Sequence, residues 1–293
     1  MRIMDSALFL LLATGMLLGL ILPLGKIAAE AGVAPAMWAF LVSAGAGIIL
    51  LAVLLLQRRG VGFSGGRLRY YICTAIISYA LPNLLILSAI PHLGAGFTGI
   101  MYTLSPVITL VISMGFGLRR PNALGIVGIA VGFAGAVMVA LTRGEVGKPA
   151  DPLWVAAALF IPVLLAIGNV YRTLDWPKNA APTELAAGSH LAAALMLFGG
   201  IFLFTGNFPL HTFALVPEAT VAQAVASAGM FALFFRLQAV GGPVYLSQIG
   251  YVAAALGLMS GTLFLGEHYP PLTWIGAGVI AIGVTLTTKA QRG

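Results

Sequence analysis

Charge and cysteine are both scarce in this chain. Cys73 is the single cysteine among 293 residues, which excludes an intramolecular disulfide and a multi-cysteine metal site. Charged residues make up only 8% of the sequence, too few to cover a soluble domain. No G-x-x-x-x-G-K-[ST] string occurs, so the chain carries no signature of ATP-driven pumping, and no H-E-x-x-H or Cys/His cluster suggests a catalytic metal. The string GAGFTG at 94–99 matches G-x-G-x-x-G by letter. A dinucleotide site would need a strand before it and a helix after it. Here the string sits between apolar runs, where glycines that let helices approach explain it. No cofactor, no metal and no nucleic-acid partner are therefore expected, and no enzymatic activity.

What remains is grease. Hydrophobic residues reach 60% and the mean hydropathy is +1.04, the composition of an integral membrane protein. About ten apolar runs are each long enough to cross ~30 Å of hydrocarbon as a helix. They cover 6–26, 35–57, 70–90, 94–117, 122–142, 152–174, 183–205, 218–237, 243–266 and 270–288. The first, followed by AAEAGVA, has the look of a signal peptide, but its length and its place in the symmetry below read as a span. The connections are too short for a soluble domain. With the N-terminus inside, Arg2, Arg58, Arg59, Arg67, Arg69, Arg119, Arg120, Arg172, Lys178, Arg236, Lys289 and Arg292 fall on one face, and Lys26, Arg143 and Lys148 on the other. By the positive-inside rule both termini are cytoplasmic. Membrane lipid is thus the main partner of the net charge of +7.

An offset of 148 residues aligns 94–135 with 242–283, pairing Gly94 with Gly242, Phe97 with Tyr245, Phe116 with Phe264, Gly128 with Gly276 and Gly135 with Gly283. Each half then holds five spans, and an odd number inverts the second half relative to the first. The expected fold is an all-α integral membrane protein of ten helices, built as two inverted five-helix repeats, 1–145 and 149–293, around a central cavity. Glycines at 128, 132, 276, 278 and 283 make the fifth and tenth spans packing helices, or the seam of a homodimer; a monomer fits equally.

The unit SPVITLVISMGFGLRRPNALGIVGIAVGFAGAVMV and its partner SQIGYVAAALGLMSGTLFLGEHYPPLTWIGAGVIAIGV resemble EamA-type members of the drug/metabolite transporter superfamily. The second carries that family's GE-x-x-P turn at Gly266, Glu267 and Pro270; the first has Leu118-Arg119 where many members have Gly-Glu. The narrower likeness is to YddG-like exporters of aromatic amino acids and related metabolites. It implies an exporter of the bacterial inner membrane.

Asp5, Glu30, Glu145, Asp151, Asp175, Glu184, Glu218 and Glu267 all fall at or beyond the ends of the runs. That disfavours cation antiport around a mid-membrane carboxylate. His190, inside the seventh run, is the candidate for proton coupling, set against a structural role. Polar and aromatic residues recur at helical spacing: Tyr79 and Asn83, then Tyr102 and Ser105, then Tyr245, Gln248 and Tyr251. Stripes of this kind should face a bundle interior or a wet cavity. With Trp38, Gln223 and Met230 they make the expected substrate site. Small uncharged or zwitterionic metabolites, amino acids above all, would suit it, moved by alternating access. Phosphorylated substrates such as nucleotide sugars would need Lys or Arg converging inside the spans, and none is expected there. A membrane scaffold or embedded enzyme is the rival of another class.

Overall fold

The computed structural model describes residues 6–118, 122–142, 152–253 and 270–292, with some side chains inside those ranges, 93–102 among them, left outside. All of the regular structure described is helical. The helices are α1 (Ala7–Glu30), α2 (Pro35–Leu56), α3 (Gly65–Thr74), α4 (Leu81–Gly115), α5 (Ala123–Thr142), α6 (Pro152–Leu174), α7 (Pro182–Thr205), α8 (Pro217–Ser247) and α9 (Pro271–Arg292). A π-helical stretch, Ala75–Ala80, joins α3 to α4, and a 3-10 turn, Leu210–Leu215, precedes α8. Seven of the described helical segments are long and apolar enough to cross a membrane, and two shorter apolar ones cover Thr103–Gly115 and Ala123–Met138. Leu55, Leu195, Leu203, Phe204 and Val221 are exposed on the outer faces, as lipid-facing positions should be. The stretch 254–269, which includes the end of the ninth expected span, Gly266, Glu267 and His268, lies outside the described residues, as do Arg119, Arg120, Arg143 and Lys148.

Local chemistry sets the boundaries. Gly32, at φ 85°, ends α1 in a paired-turn cap: the Val33 N–H donates to Ala28 O at 2.9 Å and the Gly32 N–H to Ala29 O at 3.1 Å, a geometry that costs glycine nothing. Pro35, Pro182 and Pro217 sit in the first turns of α2, α7 and α8, where the missing N–H is not required. Within α8, Gly242 has φ 71° and ψ −179°, so the chain turns sharply there, next to Pro243 and between the eighth and ninth expected spans.

The helical run Leu81–Gly115 is not straight. Ser78, just before it, and Thr109, near its end, bond to Arg172 and Asn169, which are themselves bonded to each other. A straight helix would hold positions 78 and 109 ~45 Å apart, so the chain doubles back between them. α4 lies along α6, α2 along α7, α1 along α8 and α5 along α9. The last pair is the tightest, because Gly128, Gly132, Gly135, Gly276 and Gly283 interlock: a Cβ on Gly283 would lie 2.6 Å from Gly132 Cα, and one on Gly135 would lie 2.7 Å from Gly276 O. These glycine faces are therefore occupied within the chain.

Candidate functional site

A cleft opens between α1, α2, α4, α6 and α8. Gly25, Trp38 and Leu87 line it, and so do Arg172 and Phe234, the pair taken as its floor. Its walls include Leu18, Ile21, Ile86, Leu165, Met230 and Phe231. Several polar atoms break this apolar lining. Trp38 Nε1, Tyr79 Oη and Asn83 Nδ2 are buried with no hydrogen-bond partner among the described residues. Such groups cost free energy unless a ligand or water meets them.

The sequence explains why Ser78 and Tyr79 are there. Pro82 has no N–H to return to the carbonyl of Ser78, and its ring crowds that turn. The backbone before it widens to the π-helical stretch Ala75–Ala80, a device common at functional sites. Ser78, Tyr79 and Asn83 all come to line the cleft. Tyr79 is fixed from behind by His190 at 4.0 Å and Phe231 at 5.2 Å between ring centroids.

Of the residues expected at the site, Trp38, Tyr79, Asn83, Ser105 and Met230 line the cleft. The side chain of Tyr102 lies outside those described. The other expected lining residues are placed elsewhere. Tyr245 Oη bonds Thr288 Oγ1 at 2.8 Å, Gln248 Oε1 accepts from Thr287 Oγ1 at 2.6 Å, and Tyr251 Oη donates to Ile129 O at 3.3 Å. That stripe of three is directed at α9 and α5, where its hydroxyls and amide tie the glycine-packed pair in place. Ser247, Ile249 and Gly250 of the same segment line the cleft instead. Gln223 is fully buried and donates to Ser227 Oγ at 2.8 Å within its own helix. His190 is also fully buried, wedged between Tyr79 and Phe231 at 4.0 and 3.8 Å, and does not line the cleft.

Arg172 is the larger correction. Counted by position among the cations at the cytoplasmic ends, it is instead 1% exposed and part of the cleft floor. Its Nε donates to Gln238 Oε1 at 2.8 Å and one terminal nitrogen donates to Asn169 Oδ1 at 2.6 Å. The other terminal nitrogen donates to Ser78 Oγ, and the guanidinium carbon lies 4.8 Å from the Phe234 ring centre. Gln238 Nε2 is held by Asn169 O at 2.8 Å and Thr173 Oγ1 at 3.0 Å, which orients its carbonyl toward the cation. Gly168 leaves room: a Cβ there would collide with Ser78 Oγ. Asn169, two turns into the polar end of α6, is the signal that sequence reading passed over, since it stands three residues from Arg172 on one face.

Around α3 and the ends of α6 and α7 lies a layer of aromatic rings and ion pairs. Tyr70 stacks on Tyr171 at 6.1 Å and meets Trp176 edge-on at 6.3 Å. Arg69 pairs with Asp175, which also accepts from Tyr171 Oη at 2.6 Å. Glu184 binds Arg67 Nε at 3.1 Å, the Gly62 N–H at 3.0 Å and Tyr71 Oη at 3.3 Å. These contacts join α3 and the residues just before it to the end of α6, the segment that follows it and the start of α7.

Known proteins resemble this chain at two levels. A solved crystal structure shares its fold with a TM-score of 0.75 over 100% of both chains at 19% identity. A protein of Streptantibioticus cattleyicolor named "Probable terminal-alkyne amino-acid exporter" is 25% identical over 222 residues, 69% of this chain and 67% of that protein. The EamA-like transporter family model matches residues 5–141. Over residues 5–141 the chain is thus similar to EamA-like transporters, and its fold is that of the solved structure.

Proposed function

We propose that this protein exports small metabolites, amino acids including aromatic ones foremost, across the bacterial inner membrane by alternating access. In this reading ten spans form two inverted repeats, 1–145 and 149–293, with both termini cytoplasmic. The observation that carries it is the cleft: its aromatic and aliphatic walls accept an apolar side chain, while Trp38, Tyr79 and Asn83 offer donors that no described residue pairs. Pockets that bind small molecules combine these features. The name of the relative, an amino-acid exporter, points the same way. A nucleotide sugar would require several cations converging on phosphate, and the described lining supplies Arg172 alone. Proton coupling through His190 is a separate proposal, which its burial behind Tyr79 does not favour.

The test is reconstitution of the full chain into liposomes with a panel of labelled amino acids, with and without a pH gradient. Flux of at least one apolar or aromatic amino acid is expected. Silence across the panel would end the amino-acid reading, and equilibration regardless of the gradient would end obligate proton coupling.

A further inference from the structure

An arginine stays charged at every physiological pH and presents five N–H donors. Arg172 uses one on each of Gln238, Asn169 and Ser78, all of them neutral. Among the described residues no carboxylate contacts it. At 1% exposure the cation has given up bulk hydration without gaining a counter-charge from the described residues, a state that structures seldom tolerate unless something supplies the anion. The Phe234 face at 4.8 Å is a partial substitute at best. Gln238, Asn169 and Gly168 hold the guanidinium at the cleft floor, so the unspent donors belong to a built site and not to a loose surface residue. Among the described residues that line the cleft there is no Asp or Glu. Among the described residues the site therefore has a charged partner for a negative group and no carboxylate for a positive one.

We infer that Arg172 receives the carboxylate of the transported molecule, and that the cleft selects substrates by this carboxylate and an apolar tail while remaining indifferent to an α-amino group. This rests on the reading of the cleft as the transport site. Its consequence is a wider substrate class than amino acids: organic acids with a hydrophobic body, including N-acylated amino acids, fit as well as the zwitterions do. Carboxamides and esters of the same shape do not. A charge-assisted pair made in a site of low polarity separates them by roughly tenfold or more.

The experiment measures binding to the purified full chain by calorimetry for L-phenylalanine, N-acetyl-L-phenylalanine and N-acetyl-L-phenylalaninamide, with proteoliposome flux of the same compounds. The first two are expected to bind within a few-fold of each other and roughly tenfold or more tighter than the amide. In Arg172→Gln that ratio is expected to fall to about one while thermal unfolding still shows a folded protein; Arg172→Lys, which keeps charge but not the planar fork, should retain part of it. The ratio is the deciding readout, because a purely structural role for Arg172 would weaken acid and amide alike. Equal binding of acid and amide by the wild type would overturn the inference and leave the cleft as a transport site. So would loss of N-acetyl-L-phenylalanine binding with L-phenylalanine binding intact. No binding and no flux of any of the three would overturn the amino-acid reading and this inference together.

Discussion

If the ring and ion-pair layer around α3 is a closed gate, removing Glu184 should open it. Its carboxylate holds three partners at 3.0, 3.1 and 3.3 Å across the junction of α3 and α7. The Arg67 side chain is 26% exposed against 11% for Glu184, so that pair lies at the low end of ion-pair strengths, well under about 1 kcal/mol after screening. The Tyr71 hydroxyl is buried, and orphaning it costs a further ~1–3 kcal/mol. Together Glu184→Ala should shift the balance between closed and open by about 2–3 kcal/mol, on the order of 30- to 150-fold. Glu184→Gln keeps an acceptor and loses only the charge, for about 1 kcal/mol or roughly fivefold. The assay is labelling of Leu165→Cys, a wall position, by a membrane-impermeant maleimide applied on the face that carries Arg67 and Asp175, in a Cys73→Ser background. Labelling should rise in the order wild type, Gln variant, Ala variant. Identical labelling of all three, with protein stability lowered, would refute the gate and leave Glu184 as a structural tie.

Three further outcomes follow from the packing. Gln248→Leu removes one acceptor from Thr287, which keeps Val284 O at 2.9 Å and Gly283 O at 3.1 Å, so stability should fall by about 1 kcal/mol with flux per folded molecule unchanged; a selective loss of flux would put Gln248 in the pathway. Gly283→Ala drives a methyl group to 2.6 Å from Gly132 Cα and should cost ~1–3 kcal/mol or more by overpacking, read as a lower unfolding temperature in detergent. An unchanged temperature would mean that α5 and α9 are not so closely apposed. His190→Phe retains an aromatic ring between Tyr79 and Phe231 and should leave the response of flux to a pH gradient as it is in the wild type; loss of that response would make His190 the proton carrier.

Hydropathy was enough to locate most of the helices, because the cost of bare backbone in lipid leaves little else for a run of about twenty apolar residues to become. It also left a break at 238–242 between the eighth and ninth runs, where the structure turns at Gly242. The doubling back within Leu81–Gly115 is expected from the separate runs 70–90 and 94–117, and the contacts of Ser78 and Thr109 through Arg172 and Asn169 agree with it. At the site, periodicity named Tyr79, Asn83 and Ser105, with Trp38 and Met230 added from neighbouring spans, yet it could not distinguish a polar stripe that meets a cavity from one that meets a helix. Tyr245, Gln248 and Tyr251 satisfy the spacing rule as fully as Tyr79 and Asn83 do, and only the position of α9 reveals what they serve. Arg172 escaped for a related reason. A cation two residues from the end of a helix counts toward topology whether it points to water or inward, and its direction is fixed by Ser78 and Gln238, 94 and 66 residues distant.

The central claim is that small amphipathic molecules pass through this cleft. Met230→Trp fills it from the α8 wall without touching the Arg172 cluster or the ion-pair layer. In proteoliposomes preloaded with unlabelled L-phenylalanine, the wild type should accumulate external labelled L-phenylalanine by counterflow, and the folded Met230→Trp variant should do so at a small fraction of that rate. Equal counterflow by the two proteins would contradict the account.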